Sequence, residues 1–302
     1  MTEGIKLGRR WFLGHSLEKL IEPIYQDTET IVFPRQHIIT FGLSIEDYND
    51  VHLDPETAAE YGFTDTPLIG VQIAAHGEHF LRKQVRKLEE QVKRSDVTIR
   101  INRLEVRFPK AAYPEEEIVY RITEHETERG DKNALKVVHL TGSSFYTEDL
   151  EGKKERKEKV VLKVAATLGE EYSATPKLNN AAFERSFSLS EKKVKKFYRG
   201  AVLKDEDRIP YMLPAGYITS ALIELLRVKT LEKSGTNMRM SFDILSEIRA
   251  EIPIKVEIWP LRKNPSKRDG GYVYNIEALA TQKETPIMYG EILCSTKNLI
   301  SF

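Results

Sequence analysis

The stretch Ser44–His79 reads SIEDYNDVHLDPETAAEYGFTDTPLIGVQIAAHGEH, and its pattern organises the interpretation of the whole chain. Within six residues it brings together a carboxylate, an amide and an imidazole, those of Asp47, Asn49 and His52. Side chains of these types can hold and activate a water molecule. A Pro67-Leu68-Ile69-Gly70 sequence then opens an apolar helical pattern, and N–H groups at a helix N-terminus stabilise negative charge on a nearby carbonyl oxygen. The stretch therefore predicts a water-activating site beside the start of a long helix.

Local signals around this stretch predict one strand and two helices. The run QHIITFGL at 36–43 has strand character, and Ser44 follows it as a helix N-cap. Asp54 before Pro55 is typical of the start of a short helix. Apolar residues at three-, four- and seven-residue steps predict the long helix over 67–90. Strand-like segments follow at 97–108, 117–126, 134–146 and 155–167.

The second half of the chain repeats this order. A polar segment at 169–180 without periodicity predicts a linker between domains at 1–168 and 181–302. After it we predict a strand at 183–189, a short helix after Ser190, a long helix over 214–231, and strands at 237–250, 253–259, 272–281 and 286–297. One constant shift lays Phe41 on Phe187, Leu43 on Leu189, Ser44 on Ser190 and Gly70 on Gly216. We therefore expect two copies of one α+β fold.

The same shift puts Lys193 where Asp47 stands and Tyr198 where His52 stands. The second copy therefore lacks the polar group. We expect the residues before Gln36 to form an irregular leader that packs against the rest of the protein through Trp11 and Phe12.

Composition excludes several classes of protein. The 302 residues include 46 Lys and Arg and 46 Asp and Glu, for a formal net charge of +0, which argues against a general binder of nucleic acid or membrane surfaces. The single cysteine, Cys294, cannot form an internal disulfide, and no secretory signal or membrane-spanning apolar run is visible. We expect a cytoplasmic protein.

Each candidate side chain also has an ordinary structural interpretation. Ser44-Ile45-Glu46-Asp47 resembles a capping box, in which the carboxylate bonds back to the N-cap amide. Asn49 alone is a common loop residue, and His52 alone is a common surface or half-buried residue. Their occurrence together favours a site. HGEH at 76–79 lacks the HExxH spacing of zinc sites and an obvious third ligand, so no metal site is predicted.

The site interpretation requires a break in the backbone. In an unbroken helix over 44–53, Asp47 and His52 would point about 140° apart, because each residue turns about 100°. Asp50 and the following Asp54-Pro55 predict a bend near Asp50.

These residues resemble a known family. Asp47-x-Asn49-x-x-His52, followed by a proline-led, glycine-containing start of a long helix, is similar to the signature of MaoC-like hydratases, the hydratase 2 group of hotdog-fold enzymes. Gly8-Arg9-Arg10-Trp11-Phe12 and Arg107-Phe108-Pro109 are further likenesses. The likeness extends over most of the chain, while the specific motif is confined to residues 41–77. Two copies with one motif look like the double-hotdog members, in which one half is catalytic and the other helps to form the substrate tunnel.

The chain departs from that family pattern at three points. The proline that usually follows the asparagine is replaced by Asp50, and the His-Gly pair at the helix opening is replaced by Ile69-Gly70. The motif lies in the first half, whereas eukaryotic double-hotdog hydratases carry it in the second. These departures bear on substrate and rate more than on fold.

The resemblance implies an (R)-specific enoyl-CoA hydratase or 3-hydroxyacyl-thioester dehydratase, with no nucleotide or metal cofactor. Asp47, Asn49, His52 and Gly70 would be catalytic, while Val71 and Arg107 would bind the CoA or acyl-carrier-protein thioester. Dimerisation is common in such folds, so a homodimer is compatible with this interpretation. The alternatives are a non-catalytic acyl-thioester-binding or assembly protein, which Asp50 and Ile69 favour, and a hotdog thioesterase.

Overall fold

A computed structural model describes residues 27–92, 99–126, 134–150, 153–169, 172–176, 178, 181–204, 208–230, 236–265 and 272–296. The first half consists of β1 (Thr28–Val32), α1 (Arg35–Ile45), α2 (Pro55–Glu60), α3 (Gly70–Val92), β2 (Arg100–Arg107), β3 (Glu117–Glu126), β4 (Ala134–Leu150) and β5 (Lys153–Gly169). The second half consists of β6 (Phe183–Phe187), α4 (Glu191–Gly200), α5 (Met212–Thr230), β7 (Thr236–Ile244), β8 (Ile254–Pro265), β9 (Tyr272–Gln282) and β10 (Thr285–Thr296).

The ten strands of the described residues join one antiparallel sheet in the order β1-β3-β4-β5-β2-β7-β10-β9-β8-β6. The order is the same when it is read inward from either end, because β6 to β10 take the positions that β1 to β5 take in the other half. The halves meet at the β2–β7 pair, where Leu104 lies opposite Phe242 and Val106 opposite Met240. The two sheets are therefore continuous.

One face of the sheet packs against the long helices α3 and α5, which contact each other. Small residues allow the close approach of helix and sheet, since a Cβ on Gly77 would lie 3.1 Å from the side chain of Leu162. Tyr120 of β3 donates a hydrogen bond to the carbonyl of Ile73 at 2.9 Å. The apolar faces of α3, α5 and the sheet form a single core across both halves.

The predicted strand at 36–43 is wrong, because these residues form helix α1. Its apolar residues Ile38, Phe41 and Ile45 are spaced for one helical face and are all buried. Helix α4 packs against this helix so closely that a Cβ on Gly200 would lie 2.7 Å from the backbone of Phe41. Tertiary packing here overrides the strand preference of an Ile-Ile-Thr run.

The predicted N-cap at Ser44 and the constant shift between the two halves are wrong for the same reason. Ser44 lies inside α1, near its end, and its hydroxyl donates to the carbonyl of Phe41, so the capping box with Asp47 does not form. The N-cap of α1 is Pro34, and its counterpart in the second half is Ser190, the N-cap of α4. Gly70 begins α3, whereas Gly216 lies inside α5. The two halves do repeat one order of elements, but corresponding helices are separated by different numbers of residues.

Most other element predictions are confirmed. The helix after Asp54, both long helices and the eight long strands lie close to their predicted positions, and β3 matches its predicted bounds. Strand β1 was missed, because its five residues are held by pairing with the distant β3. The proposed contacts of Trp11 and Phe12 lie outside the described residues, and the domain boundaries at 169–180 stay a prediction.

Candidate active site

A cavity of about 280 Å³ opens where the start of α3 meets α5. This is near the small end of the roughly 300–1,000 Å³ typical of ligand pockets. Two groups of side chains line it. The polar groups are Asp47, Asn49, His52, Lys110 and Thr219. The remaining lining residues are Val51, Phe63, Pro67, Leu68, Ile69, Gly70, Val71, Ile73, Phe108, Pro109, Ala111, Ala112, Val161 and Ile223.

The end of α1 turns Asp47 toward this cavity. Glu46 has the left-handed conformation of a helix C-cap (φ 56°), and the N–H of Asp47 donates to the carbonyl of Gly42 at 2.9 Å. A Cβ on Gly42 would lie 2.9 Å from the carbonyl oxygen of Asp47, so glycine permits this return of the chain. The buried carboxylate of Asp47 then accepts a hydrogen bond from the N–H of Asn49 at 2.9 Å.

Asn49 and His52 belong to the next short element. Asn49 is extended (φ −69°, ψ 114°) and caps a 3-10 helix, Asp50–His52, by accepting from the N–H of Val51. Asp47 and His52 therefore lie in separate local structures, as the site requires. The chain turns at Glu46 and again at Asn49, rather than in one bend at Asp50.

A hydrogen bond orients the imidazole of His52. Its Nδ1 lies 2.9 Å from the carbonyl oxygen of Pro67. A carbonyl only accepts hydrogen bonds, so Nδ1 must carry the proton, and the lone pair of the neutral ring is on Nε2. The half-buried His52 ring thus offers a proton-accepting nitrogen in a residue that lines the cavity.

The start of α3 adds hydrogen-bond donors. Gly70 is the first residue of the helix and Val71 the second, and both line the cavity. The first N–H groups of a helix have no intrahelical acceptor and lie at its positive end. A Cβ on Gly70 would lie 3.0 Å from the ring of Phe108, so glycine lets this aromatic side chain cover the helix start.

Arg107 is the one predicted site residue that the structure does not bring to the cavity. Strand β2 alternates, so Val106 faces the core while Arg107 is exposed on the opposite face of the sheet, beside Lys163 and His139. The cation that does line the cavity is Lys110, three residues further on and exposed. The expected placement of Arg107 at the cavity is therefore wrong.

The second half supplies part of the wall, as the two-copy interpretation expects. Thr219 and Ile223 of α5, one helical turn apart, line the cavity opposite the first-half residues. Neither these residues nor Phe63 was identified from the sequence. No local signal distinguishes Thr219 and Ile223 from the other buried residues of their helix. Phe108, by contrast, is part of the Arg107-Phe108-Pro109 likeness and could have been named from it.

The histidines of α3 have structural partners instead. His76 is buried, with Nδ1 3.1 Å from the carbonyl oxygen of Ala201 and Nε2 3.2 Å from the carboxylate of Glu29. That contact, together with Lys83 and against the opposing effect of burial, lowers the pKa of Glu29 to about 2. Glu78 accepts from the backbone at the start of α5. In the part of the chain that the structure describes, no three His, Cys, Asp or Glu side chains are grouped to hold a metal.

Solved structures of similar architecture cover nearly the whole chain. A MaoC-like dehydratase matches at 12% identity, with a TM-score of 0.58, over 93% of this chain and 100% of that one. A MaoC-like dehydratase from Phytophthora capsici matches at 10% identity, with a TM-score of 0.53, over 93% and 99%. A conserved hypothetical protein from Mycobacterium tuberculosis with a double hotdog fold matches at 6% identity, with a TM-score of 0.55, over 89% and 95%.

The chain has the double hotdog fold. Its two halves each contain a long helix packed against five strands of the shared sheet. No protein-family model and no curated protein matches the sequence. Among the described residues, no helix is both long and apolar enough to span a membrane. Likeness at such low identity establishes the architecture, so the chemistry must be argued from the side chains.

Proposed function

We propose that this double hotdog protein is an (R)-specific enoyl-CoA hydratase, or 3-hydroxyacyl-thioester dehydratase, which adds water reversibly to a trans-2-enoyl thioester. One observation carries the proposal: Asp47 and His52 line a single, mostly apolar cavity next to the N-terminus of α3. An apolar wall suits an acyl chain, and the polar groups suit a water molecule. We place the activity in the cytoplasm, since a chain with one cysteine, Cys294, cannot form an internal disulfide.

In the hydration direction, Asp47 and His52 would hold one water between them. The free lone pair on Nε2 of His52 supports its role as the proton acceptor while the water oxygen bonds to C3. The C2=C3 electron pair moves toward the thioester carbonyl, and C2 then takes a proton from the acid formed in the first step. Asn49, whose backbone N–H holds Oδ1 of Asp47, would keep the carboxylate oriented.

Negative charge that develops on the thioester oxygen needs donors. The N–H groups of Gly70 and Val71, at the positive end of α3, are the proposed ones. Phe108 and Ile73 would pack against the acyl group, and Thr219 and Ile223 would close the pocket from the second half. A cavity of about 280 Å³ favours a short acyl chain.

The test is the loss of ultraviolet absorbance when crotonyl-CoA is mixed with the protein. We expect hydration to a (3R)-hydroxyacyl product, and we expect Asp47→Asn and His52→Ala each to lower kcat by about 10² to 10⁴ with melting temperatures near that of the wild type. Hydratase activity that survives both substitutions would refute the assigned roles.

Two other outcomes identify the alternatives. Release of free thiol, measured with a thiol reagent, would identify a thioesterase. A melting-point rise with crotonyl-CoA, but neither hydration nor thiol release, would identify the non-catalytic thioester binder that Asp50 and Ile69 favour. Either result would overturn the hydratase proposal.

A further inference from the structure

The loop that carries the site is held from the other half of the molecule. A guanidinium nitrogen of Arg227, in α5, donates a hydrogen bond to the carbonyl of Tyr48, and the same nitrogen lies 3.7 Å from the carboxylate of Asp50. Tyr48 and Asp50 flank Asn49 on either side. Arg227 therefore contacts the backbone between Asp47 and His52 without lining the cavity itself.

Arg227 is the last of a row of contacts along one face of α5. The hydroxyl of Tyr217 donates to the carbonyl of Ser44 at 3.3 Å, and that of Ser220 donates to the carbonyl of Glu46 at 2.6 Å. These two contacts fix the buried end of the loop. Arg227 lies about three helical turns beyond Tyr217 and about two turns beyond Ser220. It contacts the exposed end of the loop, where Tyr48 is 46% exposed.

Among the described residues, the other hydrogen bonds of the backbone at that end join residues no more than four positions apart. Asn49 is extended and the following 3-10 helix is a single turn, held by bonds such as that from Leu53 to the carbonyl of Asp50. An exposed ion pair adds little to overall stability. Its effect here would be local, because a shift of about 1 Å in a catalytic group can cost about 10² in rate.

We propose that Arg227 is a positioning residue, which holds Tyr48 and Asp50 so that Asp47, Asn49 and His52 keep their orientation in the cavity. This inference rests on the proposed function for its kinetic test. Each half then contributes one part of the site: the first half bears the reacting groups, and α5 of the second half fixes the loop that presents them.

The backbone offers a specific rescue. Asp50 is the first residue of the 3-10 helix, a conformation whose typical φ of about −50 to −70° is close to the value that proline imposes and in which the first N–H needs no intrahelical acceptor. Asn49, at ψ 114°, is already in the conformation that a residue before proline adopts. A proline at position 50 would therefore stiffen the loop without Arg227.

The kinetic test compares Arg227→Met with the double variant Asp50→Pro/Arg227→Met. We expect Arg227→Met to lower kcat for crotonyl-CoA hydration by about 10- to 100-fold with KM changed by less than about threefold, and the added proline to restore most of the loss. Arg239→Met is the matched control, since Arg239 is a similarly exposed arginine that pairs with Glu105 on the outer sheet face. A kcat for Arg227→Met equal to that of the control, or a loss that proline leaves unchanged, would overturn the proposal.

A second readout does not depend on activity. Hydrogen exchange in the peptide spanning 46–53 should be faster in Arg227→Met and return toward the wild-type rate with Asp50→Pro, because the amides of Asn49 and Val51 are bonded within this loop. Unchanged exchange in Arg227→Met would overturn the inference. If the wild type does not hydrate crotonyl-CoA, the proposed function fails, and the exchange measurement still decides whether Arg227 orders the loop.

Discussion

Glu78 joins the two long helices that enclose the cavity, and its removal should destabilise the whole fold. The buried carboxylate, in α3, accepts hydrogen bonds at 2.8 Å from the N–H groups of Tyr211 and Met212, where α5 begins. It also accepts from Nε of Arg82 at 2.7 Å. The first N–H groups of a helix lack intrahelical partners and favour a negative charge, so Glu78 acts as a cap supplied by the other half.

The expected loss follows from these bonds. Glu78→Ala leaves two backbone donors without their acceptor and removes one acceptor from the guanidinium of Arg82. That guanidinium also donates to the carbonyl of Ile209 and lies over the Tyr211 ring at 4.3 Å. A hydrogen bond to a charged group contributes about 1.5–3 kcal/mol, and the removal of one partner from a buried ion pair costs about 3–5 kcal/mol. We expect the free energy of unfolding to fall by about 4 kcal/mol. Glu78→Gln keeps one acceptor and should lose about half as much.

Urea unfolding followed by circular dichroism measures this difference. Glu184→Ala is the control, because Glu184 forms an exposed pair with Lys255 and should change the free energy of unfolding by less than about 0.5 kcal/mol. If Glu78→Ala is no less stable than this control, the start of α5 is satisfied by other groups and the reasoning is wrong.

Three further predictions use other parts of the molecule. Lys110→Ala should raise KM for crotonyl-CoA several-fold and leave KM for a phosphate-free crotonyl thioester unchanged, because Lys110 is the cation at the cavity; equal effects on both substrates would contradict a phosphate contact. As pH falls from about 4.5 toward 2, the free energy of unfolding should drop by about 1–2 kcal/mol after allowance for solvent screening. The reason is that Glu29, whose folded-state pKa is about 2, holds its charge in the folded protein at a pH where the unfolded chain takes up a proton. Glu29→Gln should remove this part of the slope in acid unfolding curves. Gly200→Ala should cost about 1–3 kcal/mol, since its Cβ would lie 2.7 Å from Phe41, and a melting temperature equal to that of the wild type would show that α1 and α4 can separate freely.

Elements that depend on residues close together in the chain could be predicted from the sequence. Asp54 before Pro55 begins a helix because its side chain accepts from the N–H groups of Glu56 and Thr57, and those partners are its near neighbours. The periodicity of α3 and the alternation of the long strands likewise depend on neighbours. The cluster Asp47, Asn49 and His52 could be named because its members are six residues or less apart in the chain.

Sequence alone did not decide which local preference would prevail. The residues 36–43 suit a strand, yet they form α1 because burial of Phe41 against α4 favours a helix. Arg107 and Phe108 are adjacent in the chain, but they lie on different sides of the sheet. Arg107 is on the outer face, and Phe108, just beyond the end of β2, lines the cavity. The alternation of Leu104, Val106 and Phe108 with charged residues already places Arg107 on the opposite face, so the family resemblance, and not the strand pattern, gave the wrong position.

The sequence by itself determined the candidate reacting groups and the long helices, since each depends on residues close together in the chain, and it also determined the repeated order of elements in the two halves. Tertiary structure decided what surrounds those groups: Thr219 and Ile223 in the wall, Arg227 behind the loop and Glu78 at the start of α5. These contacts join residues more than a hundred positions apart. Their formation depends on the joined sheet and the packing of α3 against α5, which no local pattern encodes.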